Sequence, residues 1–201
     1  MMTATPTRLY VDGLSARNKA RRALWNVVRT LLFRWSPDYK FHRWRILLLR
    51  AFGAKIGQGC KVASSCRVWA PWNLEMGDYV CLGANVDCYN VAKIRIGSYS
   101  TVSQRAYLCS ASHDVTTLAL PLIYAPITIG EYAWVCAEAF VSLGQSIGPG
   151  AVVGARSVVT KDIPAWTIAA GHPASVIKAR RIEHTNGSLL PASYARTDLE
   201  H

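Results

Sequence analysis

Aliphatic residues recur every six positions through the second half of the chain: Ile129, Val135, Val141, Ile147, Val153 and Val159. Four positions after each comes Ala133, Ala139, Gln145, Ala151, Ser157 or Ile163, mostly small, and glycine directly follows the aliphatic at Gly130, Gly148 and Gly154. A period of six fits neither an amphipathic helix nor a half-buried strand, whose periods are 3.6 and 2. It fits a solenoid in which six residues make one short strand and one corner. The aliphatic side chain points inward, the small residue fills the bend, and glycine supplies the φ > 0 geometry that a corner can require. The pattern predicts an all-β solenoid, a parallel β-helix.

The same pattern extends back to Ile56. A first phase runs through Ile56, Val62, Val68 and Leu74, slips by two at Met76-Gly77, continues through Leu82, Cys88 and Ile94, and slips again at Ile96-Gly97 before Val102 and Leu108. Each slip reads as one widened corner. After His113 the register breaks, and residues 114–126, rich in Thr, Leu and Pro, read as a loop projecting from the coil until the phase returns at Ile129. A loop ejected from a regular scaffold is a place to look for function.

Before the solenoid, residues 16–35 read as an amphipathic helix with Ala20, Leu24, Val27, Val28, Leu31 and Trp35 on its apolar face. Ser36-Pro37 reads as the N-cap and first position of a second helix, with Phe41, Trp44, Ile46, Leu48 and Phe52 as its apolar surface and Gly53 as its stop. The expected organisation is therefore a helical segment at 1–55, a β-helix at 56–182 and a polar, disordered tail at 183–201.

Charge sharpens this division. Residues 1–55 hold 12 of the 23 Lys/Arg and only Asp12 and Asp38, so they carry +10 of the net +11. The β-helix is nearly neutral. Two readings of the basic segment stay open: it packs over the solenoid with its arginines solvated, or it rests on an anionic membrane surface through Arg, Lys, Trp and Phe. No nucleic-acid-reading motif accompanies the charge, so nucleic acid is not an expected partner. The six cysteines lack paired metal spacing, and Cys60 and Cys66 occupy small inward slots, so buried, reduced thiols in a cytoplasmic protein are expected. No signal-peptide pattern opens the sequence, and the aliphatic run Ile46 to Leu49 is too short to span a bilayer.

The hexapeptide pattern resembles that of the left-handed β-helix acyltransferases, in which three hexapeptides form one triangular coil; the handedness is implied by this resemblance. From about residue 56 to 180 the chain resembles galactoside and maltose acetyltransferases. Over residues 8 to 182 it is more similar to the acetyltransferases of colanic acid and related exopolysaccharide biosynthesis. That likeness rests on Leu32-Phe33-Arg34-Trp35-Ser36-Pro37, on Leu48 to Gly57, and on Tyr107-Leu108-Cys109 before Ser112-His113-Asp114.

The resemblance implies direct acetyl transfer from acetyl-CoA to a sugar hydroxyl, without a metal. His113, sixteen residues after Gly97, matches the family's general base, and Asn85, eight after Gly77, matches its asparagine, which the resemblance implies orients the substrate or the base. A neutral imidazole suits this chemistry, since a hydroxyl must lose its proton as it attacks the thioester. Asp114 is a candidate to orient His113, and the Ala137 N–H, just after Trp134-Val135, a candidate oxyanion donor. Trp134, Gly154, Ala155, Thr160 and Lys161 match the family's CoA wall, and Lys161 and Lys178 could neutralise CoA phosphates. Ser175 stands where the sugar acetyltransferases often carry arginine. The resemblance also implies a homotrimer, and a sugar or lipid-linked saccharide acceptor at the inner face of the membrane. Three alternatives stand beside it. They are an antibiotic or serine acetyltransferase, a hexapeptide carbonic anhydrase with a three-histidine zinc site, and a non-enzymatic assembly or membrane-binding module.

Overall fold

The computed structural model describes residues 15–38 and 40–182; the expected tail at 183–201 lies outside them. From Lys55 onward the chain winds as a parallel β-solenoid with three faces. The first face stacks Lys55–Ile56, Leu74–Met76, Ile94–Ile96, Ile127–Ile129 and Ser146–Ile147. The second stacks Lys61–Val62, Cys81–Leu82, Thr101–Val102, Trp134–Val135 and Val152–Val153, and is extended by Thr167–Gly171 with the antiparallel Ala174–Ala179. The third stacks Arg67–Val68, Asp87–Tyr89, Tyr107–Cys109, Phe140–Val141 and Val158–Val159. The six-residue aliphatics fill the interior: Val62, Val68, Leu82, Ile94, Leu108, Ile129, Val135 and Val153 are all buried, with Ala106, Ala133, Ala139 and Ala151 packed into the bends.

Register explains the two-residue slips. Lys55 pairs with Glu75 and Glu75 with Arg95, which makes coils of twenty residues, whereas Thr128 pairs with Ser146, a coil of eighteen. The surplus lies at the corner between the third and first faces, as the 3-10 turn Pro71–Asn73 in one coil and Asn90 to Lys93 in the next. These widened corners carry a second small core, Trp69, Ala70, Val91 and Ala111, with Trp72, Tyr89 and Leu122 packed against it. Asn90, fully buried, accepts from the Ala70 N–H at 2.8 Å and donates to the Ala70 carbonyl at 2.7 Å. Its buried amide thus has backbone partners.

The corners overturn the expected role of the glycines. Gly130, Gly148 and Gly154 are not at positive φ; the corner residues that are include Tyr79, Asn85, Tyr99, Arg105, Tyr132, Glu138 and Arg156, at φ between 56° and 62°. Gly130 and Gly148 are required for another reason, the approach of adjacent coils. A Cβ on Gly130 would lie 2.4 Å from the Pro149 nitrogen and one on Gly148 2.4 Å from the Ala165 nitrogen. No side chain fits there without moving backbone.

The N-terminal segment also differs from its sequence reading. The first helix, α1, spans Ala16–Val28 and passes into a π-helical turn, Arg29–Phe33. Its buried side is Trp25 and Phe33 with Val28 against them, while Leu24, Val27, Leu31 and Trp35 face outward. Tertiary contact chooses the side: the Trp25 indole donates to the Val68 carbonyl at 2.7 Å and packs on Phe33 and Phe52. Helix α2 spans His42–Ala51, so Ser36-Pro37 does not start it. Ser36 is buried in a turn instead, its hydroxyl donating to the Phe33 carbonyl and accepting from the wholly buried Arg45 at 2.8 Å. Gly53, at φ 96°, ends α2 as expected. Arg21 and Arg22 lie over the rings of Trp72 and Trp69 at 4.1 and 3.6 Å, clamping α1 to the widened corner.

Candidate active site

The projecting segment is an antiparallel hairpin. Ala111–His113 pairs with Leu122–Tyr124, His113 opposite Leu122, and the hairpin leaves the coil where the third face turns toward the first. Its base is fixed by Ser110, whose buried hydroxyl donates to the Tyr89 carbonyl at 2.9 Å and accepts from the Ala92 N–H at 2.9 Å; the Ala125 N–H returns to the Ser110 carbonyl. The small core beneath it gives the hairpin a rigid footing.

His113 is half-exposed at this mouth, with Nδ1 2.6 Å from the Leu120 carbonyl. A carbonyl only accepts, so Nδ1 is the donor in this contact. The partner of Nδ1 is thus a backbone carbonyl, that of Leu120. The Asp114 carboxylate instead accepts from the Thr116 N–H at 2.9 Å and hydroxyl at 2.7 Å, which close the hairpin turn and hold its pKa below the ordinary carboxylate value. Leu120 sits at φ 43°, an unusual conformation for a leucine. Nothing in the local sequence marks that carbonyl as a histidine partner.

Asn85 lies at the other edge of the third face, in the corner entered from the second. At φ 56° it adopts the left-handed geometry tolerated by asparagine, and its N–H donates to the Ser65 hydroxyl at 3.0 Å. Arg105, Glu138 and Arg156 occupy the same corner in later coils, with Glu138 paired to both arginines. Asn85 and His113 thus flank the third face from opposite edges. Between them runs an aromatic strip, Trp69, Tyr89, Tyr107 and Phe140, with successive ring centroids 5.6, 6.4 and 5.4 Å apart. Burial, with help from Cys109, pushes the Tyr107 phenol well above its ordinary pKa. The hexapeptide reading missed this strip, although the half-buried Tyr89, Tyr107 and Phe140 on successive strands signal it; Trp69 at its end is buried beneath Arg22.

The remaining candidate residues divide between the two edges. Ala137 follows Trp134–Val135 at the Asn85 edge; its carbonyl accepts from the Arg156 N–H, and among the described residues its own N–H has no acceptor. The exposed Trp134 indole donates to the Ser103 hydroxyl at 2.8 Å. Gly154 and Ala155 lie one coil above Ala137 on that edge. Thr160 and Lys161 are exposed on the His113 edge, beyond Val158–Val159, and Lys178 stands on the outermost strand beside Ile168. A single chain therefore does not gather all of them around one point. All six cysteines are free thiols. Among the described residues no group of three or more His, Cys, Asp or Glu is arranged to hold a metal.

This architecture is shared with known enzymes. A hexapeptide-repeat acetyltransferase of Vibrio cholerae O1 biovar eltor, solved with acetyl coenzyme A, superposes with a TM-score of 0.75 at 26% identity, covering 85% of this chain and 93% of that one. A maltose O-acetyltransferase of Clostridium difficile 630 superposes with a TM-score of 0.72 at 25% identity over 84% and 90%. The coil is that of a hexapeptide-repeat acetyltransferase. Among curated proteins, WcaF of Escherichia coli (strain K12), named for acetyl transfer in colanic acid biosynthesis, is 42% identical over 168 residues, 84% of this chain and 92% of the relative. The chain belongs to that colanic acid biosynthesis acetyltransferase family. No family model matches the sequence. Among the described residues no helix is long and apolar enough to cross a membrane.

Proposed function

We propose that this protein transfers acetyl from acetyl-CoA directly to a sugar hydroxyl of an exopolysaccharide intermediate, with His113 as general base. The observation that supports the reading is the place of His113 at the mouth of the projecting hairpin, its ring held by the 2.6 Å contact from Nδ1 to the Leu120 carbonyl. The sugar ring lies on the aromatic strip, oriented by Asn85. As Nε2 removes the hydroxyl proton, the oxygen attacks the thioester carbonyl, and the Ala137 N–H receives the tetrahedral oxyanion. Collapse breaks the carbon–sulfur bond, and the imidazolium returns its proton to the departing CoA thiolate.

The division of the expected acetyl-CoA wall (Trp134, Gly154, Ala155, Thr160, Lys161, Lys178) between edges supports a homotrimeric working unit in which His113 of one subunit meets a neighbour's wall. The outward Leu24, Val27, Leu31 and Trp35, flanked by arginines, support peripheral contact of this cytoplasmic enzyme with a membrane bearing a lipid-linked acceptor. The deciding experiment is thiol release from acetyl-CoA with candidate saccharides, followed by mass spectrometry of the acceptor. His113→Ala should lower turnover by about 10²–10⁴-fold without lowering the melting temperature. Unchanged turnover in that variant would reject His113 as the base.

A further inference from the structure

Asn85 itself lines a pocket of about 600 Å³, together with Asn26, Arg29, Arg34, Ser65, Arg67 and Asp87. It adjoins the third face at its first coils, away from the coils expected to bind CoA. Its charge is unbalanced: three guanidinium groups share one carboxylate. Arg67 pairs with Asp87 at 3.3 Å, and among the described residues neither Arg29 nor Arg34 makes an ion pair. The other Asp87 oxygen, Oδ1, is buried without a hydrogen-bond partner.

The arginines are brought together by an irregularity. Arg29 begins the π-helical turn and Arg34 closes it, its N–H bonded to the Arg29 carbonyl at 2.9 Å. In a regular α-helix, residues five apart point about 140° from one another. The i→i+5 bond of a π-turn instead places them one above the other on one side, here both lining the pocket with Arg67 opposite. Burial and the like charges of Arg67 and Arg34 lower the Arg29 pKa, as expected of cations crowded together without enough counter-charge.

Resting on the acetyl-transfer reading, we propose that the acceptor is an anionic saccharide, whose negatively charged group seats between Arg29, Arg34 and Arg67 while its sugar lies along the aromatic strip toward His113. Guanidinium forks match the oxygens of a carboxylate or a phosphate. The charge comes either from a uronate-type carboxylate on the sugar or from the phosphate that activates or anchors it.

The test uses the full-length protein and two measurements. In the first, methyl glucoside, methyl glucuronide and glucose 1-phosphate are compared as acceptors for wild type and the double variant R29Q/R34Q. Wild type should favour an anionic acceptor over the neutral one by about tenfold or more in kcat/KM, and the double variant should bring that ratio near one. Preference for the glucuronide assigns the carboxylate; preference for the phosphate ester assigns the phosphate. In the second, pyrophosphate binding is followed by calorimetry. Pyrophosphate should bind wild type in competition with the acceptor rather than with acetyl-CoA, weaken at least tenfold in R29Q/R34Q, and recover in part in R29K/R34K.

Equal use of neutral and anionic acceptors, absence of pyrophosphate binding, or competition with acetyl-CoA would overturn the proposal. His113→Ala separates the two readings. Loss of turnover with retained pyrophosphate binding supports both. Retained turnover with intact pyrophosphate binding defeats only the assignment of the base.

Discussion

Arg45 should be the residue on which the N-terminal segment most depends. Its side chain is wholly buried between α2 and the first coil, and makes five hydrogen bonds to oxygen and a sixth contact, from Nη2 to His42 Nδ1 at 3.1 Å. Nε reaches the Val62 carbonyl at 2.7 Å; Nη1 reaches the Ser36 carbonyl and hydroxyl and the Pro37 carbonyl; Nη2 reaches the Asp38 carbonyl at 2.9 Å. The Asp38 carboxylate stands 3.6 Å away and itself accepts from the Ser64 N–H. Arg45→Met keeps most of the volume and removes every donor. The Ser36 oxygens lie in a buried residue and lose their Arg45 donor, while the Val62 carbonyl retains His42 Nδ1 at 3.1 Å; each buried polar group left unpaired costs about 1–3 kcal/mol. Relief from burying a cation offsets part of this, and breaking such a network typically costs about 3–5 kcal/mol.

For a chain of this length each kcal/mol is worth roughly 2–4 °C, so the melting temperature should fall by about 6–20 °C. Arg45→Lys retains a charge and three donors, and should fall by about half as much. Thermal unfolding followed by circular dichroism, at fixed protein concentration because an oligomer is expected, reads both. A fall below about 3 °C for Arg45→Met, or equal falls for the two variants, would refute the reasoning.

Three further outcomes are expected. Burial raises the Asp87 pKa above the ordinary carboxylate value against the opposing pull of Arg67 and Arg29, so the folded state holds that proton more tightly. Asp87 then favours folding as pH falls toward the ordinary carboxylate range, and that contribution is lost as pH rises through its raised pKa. Asp87→Asn should consequently gain on wild type in urea midpoint between about pH 4 and 7, and a difference that shrinks with rising pH would contradict this. Gly97→Ala would place a Cβ 2.5 Å from the Glu131 nitrogen; the forced coil separation should cost about 1–3 kcal/mol, and an unchanged melting temperature would show that the coils yield freely. Leu31 and Trp35 are 64% and 85% exposed, so Leu31→Glu with Trp35→Glu should reduce co-sedimentation with anionic vesicles while leaving the melting temperature within about 2 °C. Undiminished co-sedimentation would remove these residues from any membrane contact. Deleting residues 1–55 is a poorer test, because Trp25, Phe33, Ile46 and Leu49 belong to the solenoid's own core.

The six-residue aliphatic repeat determined the solenoid, because each hexapeptide repeats the same local problem of one inward side chain and one bend. Its interruption after His113 located the hairpin, and the two-residue slips marked the widened corners. Those signals are local, so a linear reading captures them. What the sequence could not determine is what distant coils do to one another. The outward side of α1 was misjudged because Val68, more than forty residues away, provides the partner that turns Trp25 inward. The glycines serve close approach between coils rather than φ > 0, and that approach leaves no trace within a hexapeptide. The Leu120 partner of His113 Nδ1 is equally illegible in the sequence, because a backbone carbonyl carries no residue identity. The separation of Asn85 from His113 across the third face, and the π-turn that aligns Arg29 with Arg34, arise only when the chain closes on itself. Tertiary structure decided these points because each depends on which atoms meet across coils, a property that no short stretch of the chain contains.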